Sequence, residues 1–390
     1  MKERLRQILQ LGLRECEIMR VNPVYFSCMI AFPIAVMLFF TSLMHSGQPV
    51  NMPVGVVDLD NTPTSRRLIR TLNSFQTTKV VAHYPNINEA RTAMQRNEIY
   101  AFLLIPKKTT SNLMSSHQPK ISFYYSNTTL VSGALLYRDL KTMSMLGSAS
   151  VGSTTMRAKG YTPSQIKSFL QPISIDVHPV NNPWVNYNVY LSTILVPGCM
   201  MLFMFLITAY TLGAELKFKS SKAWLKISDD NIFIALTGKL LPQVCIFMFL
   251  LLFYLYYMFG ILRFPHPGGI VPMLLLTLLT ILAAQGFGIF IFGLFPSLRM
   301  SLSICSLWSV ISFSTAGSAF PIYAMDPQIE TLAQLFPLRH YYMIYQTCIF
   351  NGYPLSDAWV NILALVVFAC LPLFVVKKIK RVMKNYIYIP

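Results

Sequence analysis

VYFSCMIAFPIAVMLFFTSLM, Val24–Met44, carries no charged residue. A helix needs about 20 mostly apolar residues to cross the hydrocarbon core of a bilayer, and this run supplies them. No comparable run follows until Val189. Five more then come in succession: Val189–Leu212, Leu240–Leu262, Ile270–Leu294, Leu302–Tyr323 and Val360–Val376. The layout is one span, an inserted and more polar region over residues 45–188, then five spans. It predicts a multi-pass α-helical membrane protein with six spans. A region inserted after the first span of a chain that starts in the cytosol must be extracytoplasmic.

The chain of 390 residues is 54% hydrophobic and only 12% charged, against about 25% charged in soluble domains. Its net charge of +17, from 32 Lys and Arg against 15 Asp and Glu, first suggests nucleic acid. The distribution argues otherwise. Basic residues gather at Lys2, Arg4, Arg6, Arg14 and Arg20; at Lys217, Lys219, Lys222, Lys226 and Lys239; at Arg299; and at Lys377, Lys378, Lys380, Arg381 and Lys384. Six spans put all of these on one side, while the opposite short loops hold Arg263 and Arg339. This positive-inside pattern places both termini in the cytosol. The excess charge then serves topology and contact with anionic lipid heads, and no nucleic-acid partner is expected. Val24–Met44 should remain as an anchor: it is too long for a signal peptide, Glu3, Glu15 and Glu17 precede it, and no small-x-small cleavage site follows.

The expected organisation runs as follows. Residues 1–22 form an amphipathic helix at the cytosolic interface, with Leu5, Ile8, Leu9, Cys16 and Met19 on its apolar face. Residues 23–44 are the first span, set apart by Asn22-Pro23. Residues 45–188 read as an α+β domain. Its strands are Pro53–Asp58, Lys79–Tyr84, Tyr100–Ile105, Lys120–Tyr125 and a last one at Ile173–Val177. Its helices start at Thr62-Pro63 and at Asn88 and include the long Leu130–Lys159, weakened by Gly147 and Gly152. Residues 189–376 hold five spans with a cytosolic coupling loop, 213–238. Two short helices broken by Pro327 and Pro337 lie within 324–350, either re-entrant or an external cap. Residues 377–390 are a basic cytosolic tail.

Several chemistries can be tested directly. A Walker A loop needs Gly-x-x-x-x-Gly-Lys-Ser/Thr; Gly238-Lys239 is followed by Leu240, and Phe233 stands where the first Gly belongs. The chain therefore has no ATP site of its own. Within the spans as delimited above there is no Asp, Glu, Lys, Arg or His, and Gln285 is the most polar side chain. That argues against ion-coupled transport and against a membrane hydrolase. Asp58-x-Asp60 could hold a divalent cation, but a strand-end turn is the simpler reading. Met200, Met201 and Met204, with Phe203 and Phe205, cover every face of their helix and read as packing. The seven cysteines have no metal-ligand spacing and none lies in 45–188, so no disulfide and no metal is expected there. Pro197, Pro242, Pro272, Gly286 and Gly288 make the spans more elaborate than anchoring requires.

In order and spacing these residues resemble the membrane subunits of type-two ABC exporters, in the subgroup with a large extracytoplasmic domain between the first and second spans. The likeness covers nearly the whole chain. Asn186-Tyr187 followed by Val196-Pro197-Gly198 resembles the start of the family's second span. Gly238-Lys239-x-x-Pro242 resembles the start of its third, and Gly286-Phe287-Gly288 lies in the fourth. Ser314–Pro321, with Gly317 and Pro321, follows the fifth. Phe336-Pro337-Leu338-Arg339-His340-Tyr341-Tyr342 with Asn351-Gly352 precedes the last. One departure stands out. The family's Glu-x-Glu-x-Gly-Thr is reduced to Glu215-Leu216-Lys217-Phe218-Lys219-Ser220, with the second acid lost and Ser220 read in place of the glycine.

The resemblance implies a permease that binds no cofactor itself, with ATP and Mg held by a separate cytosolic ABC ATPase. Glu215, Lys217, Lys222 and Trp224 would contact that partner. It also implies a second permease copy or a paralogue, a periplasmic adaptor, and a bacterial cytoplasmic (inner) membrane. An uncharged interior fits efflux of an amphipathic or hydrophobic substrate. A membrane-anchored receptor or secretion scaffold acting through 45–188 is the alternative.

Overall fold

The computed structural model describes residues 2–115, 117–179 and 181–385. Contacts divide the chain into two compact units, Ser46–His178 and the remainder. The inserted unit is thus shorter than 45–188. From residue 181 the chain is tied to the membrane part: the Asn181 amide donates to Asn351, and Asn182 and Asn186 exchange hydrogen bonds.

In the inserted unit, β1 (Met52–Asp58), β2 (Thr78–His83), β3 (Ala101–Ile105) and β4 (Ser122–Tyr125) form one sheet in the order β2-β1-β3-β4. The first three are parallel and β4 is antiparallel to β3. Parallel neighbours need crossover connections, here α3 (Pro63–Asn73) and α4 (Ile87–Gln95). Thr62 and Ser65 form a reciprocal cap at the start of α3, with Pro63 at its first turn. Asn86, not Asn88, caps α4. α5 (Thr109–Met114), α6 (Leu130–Ala158) and α7 (Pro163–Leu170) complete the unit.

Strand alternation sends Val54, Val56, Leu103 and Ile105 to one face under α3 and α6, where Ile69, Leu72, Leu136 and Leu140 meet them. Val57 and Phe102 point to the other face, against Ala90 and Ala93 of α4. A sheet buried on both faces explains why β1 and β3 read as unbroken apolar runs. Asp58 accepts from the amides of Asp60 and Asn61 and from the Ser65 hydroxyl. Asp60 accepts from Thr62 and Thr110. Desolvation opposes ionisation of Asp60, but these bonds outweigh it and hold its carboxyl below the usual range. Both acids are engaged in turn and cap bonds. Ile173–Val177 is not a strand: its apolar side chains are exposed and pair with no neighbour in the sheet.

Among the described residues of the membrane unit five helices are long and apolar enough to cross a bilayer: α2 (Pro23–Leu43), α8 (Asn188–Lys217), α10 (Ile232–Ile261), α11 (Ile270–Leu294) and a broken rod over Leu355–Asn385. The rod comprises α15 (Trp359–Cys370) and α16 (Pro372–Asn385), so the expected basic tail continues the last helix through Asn385. Within the expected span Leu302–Tyr323 the helix is α12 (Leu298–Thr315), 18 residues long, which begins earlier and ends sooner. It is rich in serine and stops before Gly317, whose φ of 100° no helix accommodates. α13 (Pro327–Ala333) and α14 (Pro337–Ile344) are the two proline-started helices; α14 is buried along most of its length and α13 is largely exposed.

α8 and α11 are inner helices, 67% buried over their most apolar windows, against 17–28% for the other three. On α11 the Thr277 and Thr280 hydroxyls are satisfied within the helix, donating to the Met273 and Leu276 carbonyls at 2.8 and 2.6 Å, so these two add little polarity to the interior. At Gly286 the backbone of α15 comes so near that a Cβ would stand 2.3 Å from the Phe368 carbonyl oxygen. Close backbone approach of this kind is how helices pack where lipid supplies no hydrophobic drive.

In the inserted unit the α6 carboxylate Asp139 is buried and accepts from Thr77 and from Thr78, the latter at 2.9 Å. Asp139→Ala leaves two buried hydroxyls without their acceptor. It is expected to cost about 2–3 kcal/mol, read as faster amide hydrogen exchange across β1–β3 in the intact protein. Unchanged exchange would remove Asp139 from the structural account.

Candidate functional site

The N-terminal helix α1 (Lys2–Val21) lies against α10. Its buried face is Leu11, Gly12, Glu15 and Met19. Of the apolar face expected from sequence, Met19 is buried here while Leu5, Leu9 and Cys16 are exposed. The acid Glu15, counted as polar, turns inward. Gly238 permits the crossing, since a Cβ there would stand 2.6 Å from Leu11 Cβ and 3.0 Å from the Ile8 carbonyl oxygen.

One residue further on, Lys239 is 2% exposed. Its ammonium donates to Glu15 Oε2 at 2.6 Å and to Glu215 Oε1 at 2.7 Å. It also sits 5.6 Å from the centre of the Trp224 ring, within reach of a cation–π attraction. Arg14 forks onto Glu215, with Nη1 to Oε1 at 2.7 Å and Nη2 to Oε2 at 3.1 Å, the bidentate geometry that suits guanidinium and carboxylate. Ser220 donates to Glu215 as well. Thr211 donates to Glu15 Oε1 at 2.5 Å, and the Tyr25 hydroxyl donates to Thr211 at 2.8 Å. Two cations and two carboxylates balance, and α1, α2, α8 and α10 meet there.

Next to the cluster is α9 (Ser221–Ile227), whose Trp224 is fully buried. The connection around it is held by both ends of the chain. Gln7 of α1 donates to Asp229, Lys384 of α16 donates to Asp230 at 2.6 Å, and the Ser221 hydroxyl donates to the Met383 carbonyl at 2.8 Å. The Lys384 hydrogen bond holds the Asp230 carboxyl below its usual range. The Asn231 side chain caps α10 through Phe233 and Ile234.

The sequence reading ended the second span at Leu212 and began the third at Leu240, and so left ionisable groups out of the spans. Helices α8 and α10 run further, to Lys217 and from Ile232, so Glu215 and Lys239 lie inside them and the connecting segment shrinks from 213–238 to 218–231. Of the four residues expected to touch an ATPase, Lys217 and Lys222 are exposed. Glu215 and Trp224 are buried and engaged with α1 and α10. The motif alignment also shifts: Lys219 takes φ 56°, the left-handed conformation a glycine would favour, so Lys219 and not Ser220 stands in the glycine's place.

The other motif residues do not join this cluster as a single site. Pro197 lies inside α8, and Pro242 inside α10 near Gly12. Gly286 and Gly288 sit at the crossings of α11 with α15 and α8. Gly317 and Gly352 have positive φ, Pro321 precedes a short turn at Ile322–Ala324, and Pro337 starts α14. Glu15, Arg14, Tyr25 and Thr211 were missed as site residues. The available signal was Gly12 and Glu15 three apart on one helical face, but it means little until Gly238-Lys239 is known to lie opposite. Among the described residues no group of three or more His, Cys, Asp or Glu is placed to hold a metal.

Lys239→Met leaves two buried carboxylates with one cation. Losing one partner of a buried pair costs about 3–5 kcal/mol, expected as a lower thermal unfolding midpoint of the purified protein. Combined with Glu215→Gln, the losses should be non-additive by about 0.5–3 kcal/mol; strictly additive losses would show that the pair is not coupled.

No curated protein matches the chain. A family model described as ABC-2 family transporter protein matches residues 23–376, from the first residue of α2 into α16. The chain therefore belongs to the ABC-2 transporter family and is a membrane permease component of an ABC transporter rather than its ATPase.

Proposed function

We propose that this chain is the permease subunit of an ATP-driven exporter that moves an amphipathic or hydrophobic substrate out of the cytosol or the inner leaflet. The observation that carries the reading is the Glu15–Lys239–Glu215–Arg14 cluster with Trp224 of α9 packed against it. Force applied to α9 by a cytosolic ATPase reaches the ends of α8 and α10 directly, because rigid hydrogen-bonded charges join them. Buried pairs with fixed geometry specify one arrangement more than they add stability, which suits a joint that must transmit a movement.

The positive-inside pattern puts α1, α9 and α16 in the cytosol. The exposed Lys217 and Lys222 then face the compartment where an ATPase, with its ATP and Mg, would dock. A second copy or a paralogue would complete the path, with α8 and α12 of each facing the other. The inserted unit, on the opposite side, would receive substrate or dock a periplasmic adaptor. Beyond the cluster, α8, α10 and α11 carry no Asp, Glu, Lys or Arg toward their far ends, which favours cargo with little charge at depth. A bacterial inner membrane is the setting that fits these parts.

Lys217→Glu with Lys222→Glu is expected to lower ATPase copurification several-fold while leaving the thermal unfolding midpoint unchanged, since exposed charges add little to stability. Undiminished copurification would move the docking surface elsewhere. Vesicles holding the permease and its ATPase should move a fluorescent amphipathic dye only with hydrolysable ATP; movement indifferent to ATP would overturn the exporter reading.

A further inference from the structure

The inserted unit contains a groove of about 980 Å³, at the upper end of the range for small-molecule sites. It arises from a mismatch of lengths. α6 has 29 residues, or roughly 43 Å at 1.5 Å per residue, while the strands it covers have four to seven. Only its first half, Ser132–Met143, is buried. The second half overruns the sheet, and α7 folds back along it after Gly160, whose φ is 84°. The Thr162 and Gln165 cap with Pro163 starts α7 at once. Gly152 allows the return, since a Cβ there would stand 2.7 Å from Leu170 Cδ2.

The lining divides by chemistry. Phe123, Met143, Val151, Met156, Phe169 and Leu170 are apolar, and Phe169 is 73% exposed, a state that the unit's own core does not explain. Lys120, Lys159 and His117 are the ionisable lining groups together with Tyr161, and among the described residues no Asp or Glu lines the groove. Hydroxyls of Ser122, Ser144, Ser148 and Thr155 lie between the two. A long apolar trough with lysines and hydroxyls, and no acid, fits one kind of occupant. Its tail is apolar and its head carries negative charge, because an anion gains charge-assisted hydrogen bonds there while a cation would meet only like charge.

We infer that the groove between β4, α6 and α7 binds an anionic amphiphile, its chain along Val151 and Phe169 and its carboxylate or phosphate head at Lys120 and Lys159. This deepens the exporter reading by naming a substrate class and rests on it only for the role in transport. Binding itself does not require export.

The test uses the full-length protein in lipid nanodiscs and a diazirine-bearing palmitate as the probe, with cross-linked peptides located by mass spectrometry. Cross-links are expected in residues 143–170. They should fall about tenfold in Lys120→Glu with Lys159→Glu, the loss expected for charged hydrogen bonds, and in Ser148→Trp, which fills the trough from an exposed position. Dodecyl phosphate and laurate should compete, their ratio telling which anion the head site prefers; dodecyltrimethylammonium should not. Cross-links confined to the membrane helices, insensitivity to both variants, or equal competition by the cation would overturn the inference. ATPase copurification is measured on the unmutated protein alongside. If it persists while groove labelling of that protein is absent, the inference falls and the exporter reading stands; if ATP-independent movement is found while groove labelling holds, the reverse applies.

Discussion

Lys239 is an ammonium taken out of water and held between two carboxylates from different parts of the chain, Glu15 and Glu215. The desolvation of such a group is costly, and only paired geometry with further hydrogen bonds offsets it. Every neighbouring feature follows from that requirement. Arg14 balances the second carboxylate, Thr211 donates to the first and is itself held by the Tyr25 hydroxyl, and the Trp224 face lies beside the ammonium. Gly238 lets α1 come close enough for Glu15 to reach at all. The neighbouring ends of four helices are thereby set to one another by charge. The spans themselves meet through packing.

Away from that joint the packing logic changes. α8 and α11 are enclosed by their neighbours, and small residues set how near the helices come, as at Gly286. On α11 the Thr277 and Thr280 hydroxyls turn back to carbonyls of their own helix, so these threonines leave the interior apolar.

The inserted unit is held differently again. It has no cysteine, and its stability comes from a sheet covered on both faces, with Asp139 tying α6 to the residues that open β2. The same helix then extends past the sheet. Its first half serves the core and its second half forms one wall of a groove, so stability and binding surface are separated along one element.

Hydropathy and the placement of Lys and Arg were sufficient to locate the long apolar helices and the inserted α+β unit. Apolar runs and charge clusters are local properties, and the bilayer and the caps at Thr62-Pro63 and Asn22-Pro23 act on them locally. The four strands were legible for the same reason. The exposed Ile173–Val177 was not, because β propensity does not supply a neighbour to pair with. The end of the helix in Leu302–Tyr323 was misplaced because hydropathy does not register where Gly317 breaks it. The charge cluster was decided by tertiary structure alone. Glu15 and Lys239 are 224 residues apart, and each by itself reads as a solvated charge; only the crossing of α1 and α10 brings them to 2.6 Å and makes burial tolerable for both. The groove likewise depends on how far α6 outruns its sheet, a relation between elements that no single stretch of the chain contains.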